Sequence, residues 1–161
     1  MNQAKMIVLA REIKRLSLYK WQLIIDNHGS DNKIRFEPSL KDLPEKCSFC
    51  SLWVWAIVVG KSEESCSGNE YQRCLNCPLI AADRGGCCRG LHGVWSREKQ
   101  PALKAAAASD VYNYIKKVTL KAIVGKMQEG YPEAVRKYTP NCYFEVTLNS
   151  AYEMLITKPK E

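Results

Sequence analysis

The sequence predicts an α+β fold: two main helices packed around a metal-stabilised, cysteine-rich loop module, with a small C-terminal β-hairpin. Three observations carry this. Apolar residues recur at helical spacing near the start of the chain and again after position 100. Seven of the eight cysteines fall between positions 47 and 88. The stretch Cys142 to Thr157 has the composition of strands. A chain of 161 residues with 46% apolar content can bury one core without covalent staples and is too apolar for disorder. A single domain, 1–161, is therefore expected. Its consecutive parts are a helix and linker (1–46), a cysteine-rich metal module (47–95), a long helix (96–130) and the hairpin (131–161).

The first helix is expected over residues 1–27. Met6, Ala10, Ile13, Trp21 and Ile24 share one face, with Leu9 and Leu16 beside it. Arg11, Glu12, Lys14 and Arg15 fall mostly on the other side, and His28-Gly29-Ser30 is a stop signal. Residues 29–46 are polar and broken by Pro38 and Pro44, so they read as a surface linker with a short extended piece at Ile34-Arg35-Phe36. Leu52 to Val59 is an uninterrupted apolar run that suits a buried strand, with a short buried helix as the alternative. In the second half, Pro101 fits the first turn of a helix. Leu103, Ala107, Val111, Ile115, Val118 and Ala122 then line one face, Gly125 is a possible point of division, and Gly130 and Pro132 end the helix. Tyr143, Val146, Leu148, Met154 and Ile156, with Asn149-Ser150 as the turn, make the expected hairpin.

The cysteines point to a metal. Cys47-Ser48-Phe49-Cys50 and Cys74-Leu75-Asn76-Cys77 are two C-x2-C pairs separated by 23 residues. Two intervening residues let a tight turn aim both sulfurs at one ion, with Zn–S near about 2.3 Å, and two pairs complete a tetrahedron. The separation lies near the roughly 15–20 residues of paired C-x2-C zinc sites. Scattered buried thiols would not cluster in this way, and a disulfide framework would need an export signal, which Met6 to Ala10 is too short to be. Zinc is the first reading and an iron–sulfur cluster the second, since thiolates suit both and Pro78 follows Cys77 as in cluster motifs. Cys87 and Cys88, in a glycine-rich loop, are alternate ligands, and Cys66 could join a second ion. His92 is a further candidate, read first as a surface-loop histidine. His28 is read as a turn residue and Cys142 as an isolated buried thiol.

The net charge of +7 is unevenly placed. Lys and Arg outnumber Asp and Glu by nine to six over 1–46 and by eleven to seven over 96–161, whereas 47–95 has four of each. A DNA-reading finger brings its cations with the metal module; here the cysteine region is neutral. If nucleic acid binds, Lys116, Lys117, Lys121 and Lys126 are the candidates, with Tyr112 or Tyr114 available to stack. Solvated helix faces are the plainer explanation. There is no phosphate-binding glycine loop, no His-Glu-x-x-His and no nucleophile elbow. A deaminase would need a His-x-Glu and a Pro before its C-x-x-C, and neither is present. An enzyme is therefore not the expected class. The longest apolar run, eight residues, excludes a membrane-spanning helix, so a reducing, cytoplasmic setting is expected.

Ser17-Leu18-Tyr19-Lys20-Trp21 in the first helix, the first C-x2-C with its apolar run, Cys74-Leu75-Asn76-Cys77-Pro78-Leu79, Gly86-Cys87-Cys88 and Trp95 occur in that order. The order resembles a group of small cysteine-rich proteins encoded in bacteriophage and prophage genomes. The resemblance spans about residues 10–120; the insert Lys61 to Arg73 and the C-terminal segment depart from it. It implies a metal-binding viral accessory protein with no established reaction. The expected function is thus a non-enzymatic, zinc-binding, phage-type accessory protein that binds a host macromolecule, most readily a protein. The alternatives are a nucleic-acid-binding protein using its basic helix faces and an iron–sulfur redox protein.

Overall fold

The computed structural model describes residues 1–38, 40, 90–129, 148, 149 and 152–157. Among the described residues, four α-helices form the frame: α1 (Gln3–Asp26), α2 (Leu91–Arg97), α3 (Pro101–Lys117) and α4 (Leu120–Glu129). A 3-10 turn (Ile34–Phe36) follows α1, and a π-helical turn (Glu153–Thr157) packs on α1 near the end of the chain. The most extensive contact is between α1 and α3; α2 lies against α3, and α4 against α1.

α1 starts where Asn2 Oδ1 accepts the Lys5 N–H at 2.9 Å, filling one of the orphan donors of a helix start. Its buried stripe is Leu9, Ala10, Ile13, Leu16, Ser17, Lys20, Trp21 and Ile24, the three-and-four spacing of one helix face. The expected stop at His28-Gly29 is present. Both residues take positive φ (56° and 82°), and the Gly29 N–H reaches the Ile24 carbonyl at 2.8 Å. Glycine is required at 29 for a second reason: a Cβ there would sit 2.6 Å from the backbone carbonyl carbon of Lys104, on α3.

The long helix expected over 102–128 is two helices, and the division falls at Val118-Thr119 rather than at Gly125. Two sets of hydrogen bonds hold the division. Thr119 Oγ1 accepts the Ala122 N–H at 3.1 Å and so caps α4, while Lys14 Nζ, from α1, donates to the carbonyls of Lys116 (2.9 Å) and Val118 (2.6 Å) at the end of α3. Gly125 stays inside α4, with open space where a Cβ would stand. Of the expected face, Ala107, Val111, Ile115 and Val118 are buried, Ala122 is half-buried and Leu103 is exposed; Ala108, Ile123, Val124 and Met127 complete the core.

The α+β expectation is corrected: the described residues form helices and turns, with no strand among them. The expected hairpin is overturned where it is described. Leu148 and Asn149 are helical and Leu148 is fully buried; Tyr152 and Glu153–Thr157 are helical as well. A short run such as Met154-Leu155-Ile156 has no period that separates strand from helix. Here contact with α1 and the Thr157 hydroxyl donating to the Glu153 carbonyl at 2.8 Å favour the coiled form. Ile34–Phe36 is likewise a 3-10 turn rather than an extended piece. The run Leu52 to Val59 lies outside the described residues.

Candidate functional site

The buried stripe of α1 changes character at Ser17. Ser17, Lys20 and Trp21 lie on three corners of one helical turn, and all three are buried. The Ser17 hydroxyl and the Trp21 Nε1 have no hydrogen-bond partner among the described residues. A buried donor left unpaired costs about 1–3 kcal/mol, so this turn carries a penalty that the apolar turns before it do not.

α2 faces this turn. The His92 ring meets the Trp21 ring edge-on, with centroids 5.9 Å apart, and the Trp95 ring in a tilted contact at 5.3 Å. Trp21 and Trp95 are themselves edge to face at 5.0 Å. Such pairs add about 0.5–1.5 kcal/mol beyond area burial. Trp95 differs from Trp21 in having its N–H filled: it donates to the Gly29 carbonyl at 2.9 Å. Lys104 Nζ lies 4.9 Å from the Trp95 ring centre and donates to the Glu98 carbonyl at 3.0 Å. The result is an aromatic box in which Trp95 and Trp21 are held and the half-buried His92 is oriented by both.

His92 is therefore not the surface-loop histidine of the sequence reading; it lies in the first turns of a helix and packs on tryptophan. His28 is, as expected, an exposed turn residue. The expected metal ligands Cys47, Cys50, Cys74, Cys77, Cys87 and Cys88, together with Cys66 and Cys142, lie outside the described residues. Among the described residues, no three His, Cys, Asp or Glu side chains gather to hold an ion. The segment that carries the seven clustered cysteines departs from Leu40, which is fully buried in the helical core. It returns at Gly90, five residues before the buried Trp95.

The basic residues lie elsewhere. Lys116 and Lys117 end α3, Lys121 begins α4, and all three are exposed; Lys126 is further along α4. Cations in the last turn of α3 complement the partial negative charge of that helix end. Tyr112 and Tyr114 pack at the edge of the core. Tyr19, on the outer side of α1, ties that helix to the 3-10 turn: loss of solvent and a hydrogen bond with Glu37 push its phenol above the ordinary value. Arg15 makes a two-pronged contact with Glu12 (2.9 and 2.6 Å), and this raises the guanidinium pKa further.

Sequence reasoning missed Ser17, Lys20 and Trp95 as site residues. The signal for the first two was present: both fall in register with Ile13, Leu16, Trp21 and Ile24, so a helix burying that face must bury them too. Comparison with protein families, characterised proteins and solved structures finds no match to this chain. Among the described residues, no helix is long and apolar enough to cross a membrane.

Proposed function

We propose that the chain is a zinc-binding accessory protein that acts by binding a macromolecule rather than by catalysis, with a host protein as its partner in a phage-type setting. The metal reading rests on the two C-x2-C pairs, and one observation from the fold supports it. Both ends of the cysteine-bearing segment are fixed in the same helical core, through buried Leu40 on one side and the Trp95 box on the other. Anchoring both ends removes part of the entropy that closing a loop around an ion would otherwise cost. Zinc binding then adds directly to the folding free energy of the segment.

Elemental analysis and an absorbance spectrum of the purified chain test the metal. Stoichiometric zinc and a colourless protein are expected; a brown protein with stoichiometric iron overturns zinc in favour of a cluster. The partner is tested by capture from host lysate, with Cys74→Ser as the control. A protein retained by the native chain and lost with Cys74→Ser is expected; no retained protein removes the reading.

Nucleic acid is the second reading, favoured by the exposure of Lys116, Lys117 and Lys121 around the α3–α4 corner. Phosphate-driven binding must weaken steeply between about 50 and 200 mM salt. Replacing the three lysines with alanine must then flatten that salt slope.

A further inference from the structure

The corner where α3 meets α4 is basic without interruption: residues 111–128 contain four lysines and no Asp or Glu. Lys116, Lys117 and Lys121 are exposed, and four residue steps keep Lys117 and Lys121 within about 14 Å of one another. α1 brings further charge to the same place. Lys14 Nζ donates to the Lys116 and Val118 carbonyls at 2.9 and 2.6 Å, so α1 meets the corner there, and exposed Arg11 lies one turn earlier on that helix. Glu12 is the one acid in residues 1–25, and Arg15 binds its carboxylate with two hydrogen bonds. A helix C-terminus ordinarily repels anions, because its last carbonyls carry partial negative charge. At the end of α3 the Lys14 ammonium already covers two of these carbonyls, so an anion can approach Lys116 and Lys117 without meeting them bare.

The other side chains at the corner select the kind of anion. Among the described residues, the exposed large apolar side chains are Val8, Tyr19, Phe36, Val94 and Leu103, and none lies between Lys104 and Glu129. Protein interfaces centre on aromatic and apolar anchors and are depleted in lysine; this corner has lysine and no anchor. Single strands are held by bases stacked on exposed rings, but Tyr112 and Tyr114 pack against the core. Lysine is a point charge on a flexible stem and binds phosphate without reading bases. A double helix offers such a cluster one charge per about 1.7 Å of its axis.

We infer that Arg11, Lys14, Lys116, Lys117 and Lys121 form one face that binds the phosphates of a nucleic-acid duplex without regard to base sequence. This rests on the nucleic-acid reading and narrows it from nucleic acid in general to the backbone of a double helix. Lys14 is a positioning residue in this face: it joins α1 to the corner and shields the end of α3. The other four cations, all exposed, make the phosphate contacts.

Fluorescence anisotropy of the full-length chain tests this, with labelled DNA duplexes of two unrelated sequences, the matching single strands and an RNA duplex, between about 50 and 200 mM salt. The corner variant carries Lys116→Gln, Lys117→Gln and Lys121→Gln. A charge-matched control carries Lys33→Gln, Arg97→Gln and Lys99→Gln, which remove exposed cations towards the other end of the α1–α3 pair, where Gly29 meets Lys104. The expected result is equal affinity for the two DNA sequences and weaker binding of single strands. The corner variant should bind duplex at least about tenfold more weakly at ~100 mM salt, with the slope of log affinity against log salt reduced by about 3, one for each lysine. The control should move that slope by less than about 1. Binding of either duplex through the corner supports the inference, and the ratio of the two identifies which double helix is preferred. Equal losses in the corner variant and the control overturn the face, because net charge alone would then explain binding. Single strands bound more tightly than duplex, or one duplex sequence strongly preferred, overturn the inference and leave the nucleic-acid reading standing. Displacement of duplex by poly-glutamate at equal charge concentration overturns it in favour of an acidic protein surface. No binding of any nucleic acid at ~50 mM salt overturns the nucleic-acid reading and, with it, this inference.

Discussion

Leu9, Ala10, Ile13 and Leu16, the buried stripe in the first half of α1, are all apolar; Ser17, Lys20 and Trp21, which continue the same stripe in the second half, each carry a polar group inside. The first half is ordinary core packing, where burial of apolar area supplies the stabilisation. The second half buries an N–H and an O–H that the described residues leave unpaired, beside an imidazole set between two indoles. A helix whose only task was to cover its neighbours would gain by carrying alanine at 17. The contrast separates a part of the molecule that holds the fold from a part whose composition answers to something besides the helical core.

The largest effect should come from the apolar half. Leu9→Ala removes a fully buried side chain and should cost about 2–5 kcal/mol by denaturant unfolding. The loss should be the same with and without a zinc chelator. A loss that shrinks on chelation would break the comparison, because it would couple the apolar half to the metal. Gly29→Ala comes next, at about 2–4 kcal/mol, from the positive φ together with a Cβ pressed against the backbone of Lys104, which has no rotamer with which to yield. Trp95→Phe keeps an aromatic ring in the box but loses the bond to the Gly29 carbonyl, and should cost about 1–2 kcal/mol in the same assay.

How much of this could be read beforehand follows the same divide. The apolar half of α1, its stop at His28-Gly29 and the face Ala107, Val111, Ile115 and Val118 follow from period and turn chemistry, which are local. The break at Val118-Thr119 could not be read from the pattern, since it depends on a cap from Thr119 and on Lys14, a residue about a hundred positions away, reaching the end of α3. The hairpin expectation failed because the composition of Tyr152 to Thr157 suits either state and packing on α1 decides. His92 was legible as a candidate ligand but was placed on a loop. Its helical, aromatic setting depends on Trp21, seventy-one positions earlier, and no spacing rule connects the two.

The smallest expected effect is the most telling about the polar half. Ser17→Ala removes a buried hydroxyl that has no partner among the described residues. Its loss should be neutral or stabilising, by up to about 1 kcal/mol, because alanine carries no unfilled donor and has better helix propensity. Leu9→Ala moves stability in the opposite sense, although both substitutions are made on the same face of the same helix, two turns apart. Paired urea curves for the native chain and Ser17→Ala measure the difference. A destabilisation of about 0.5–1.5 kcal/mol would instead mean that Ser17 has an acceptor in the folded chain, and the second half of α1 would then be core of the same kind as the first.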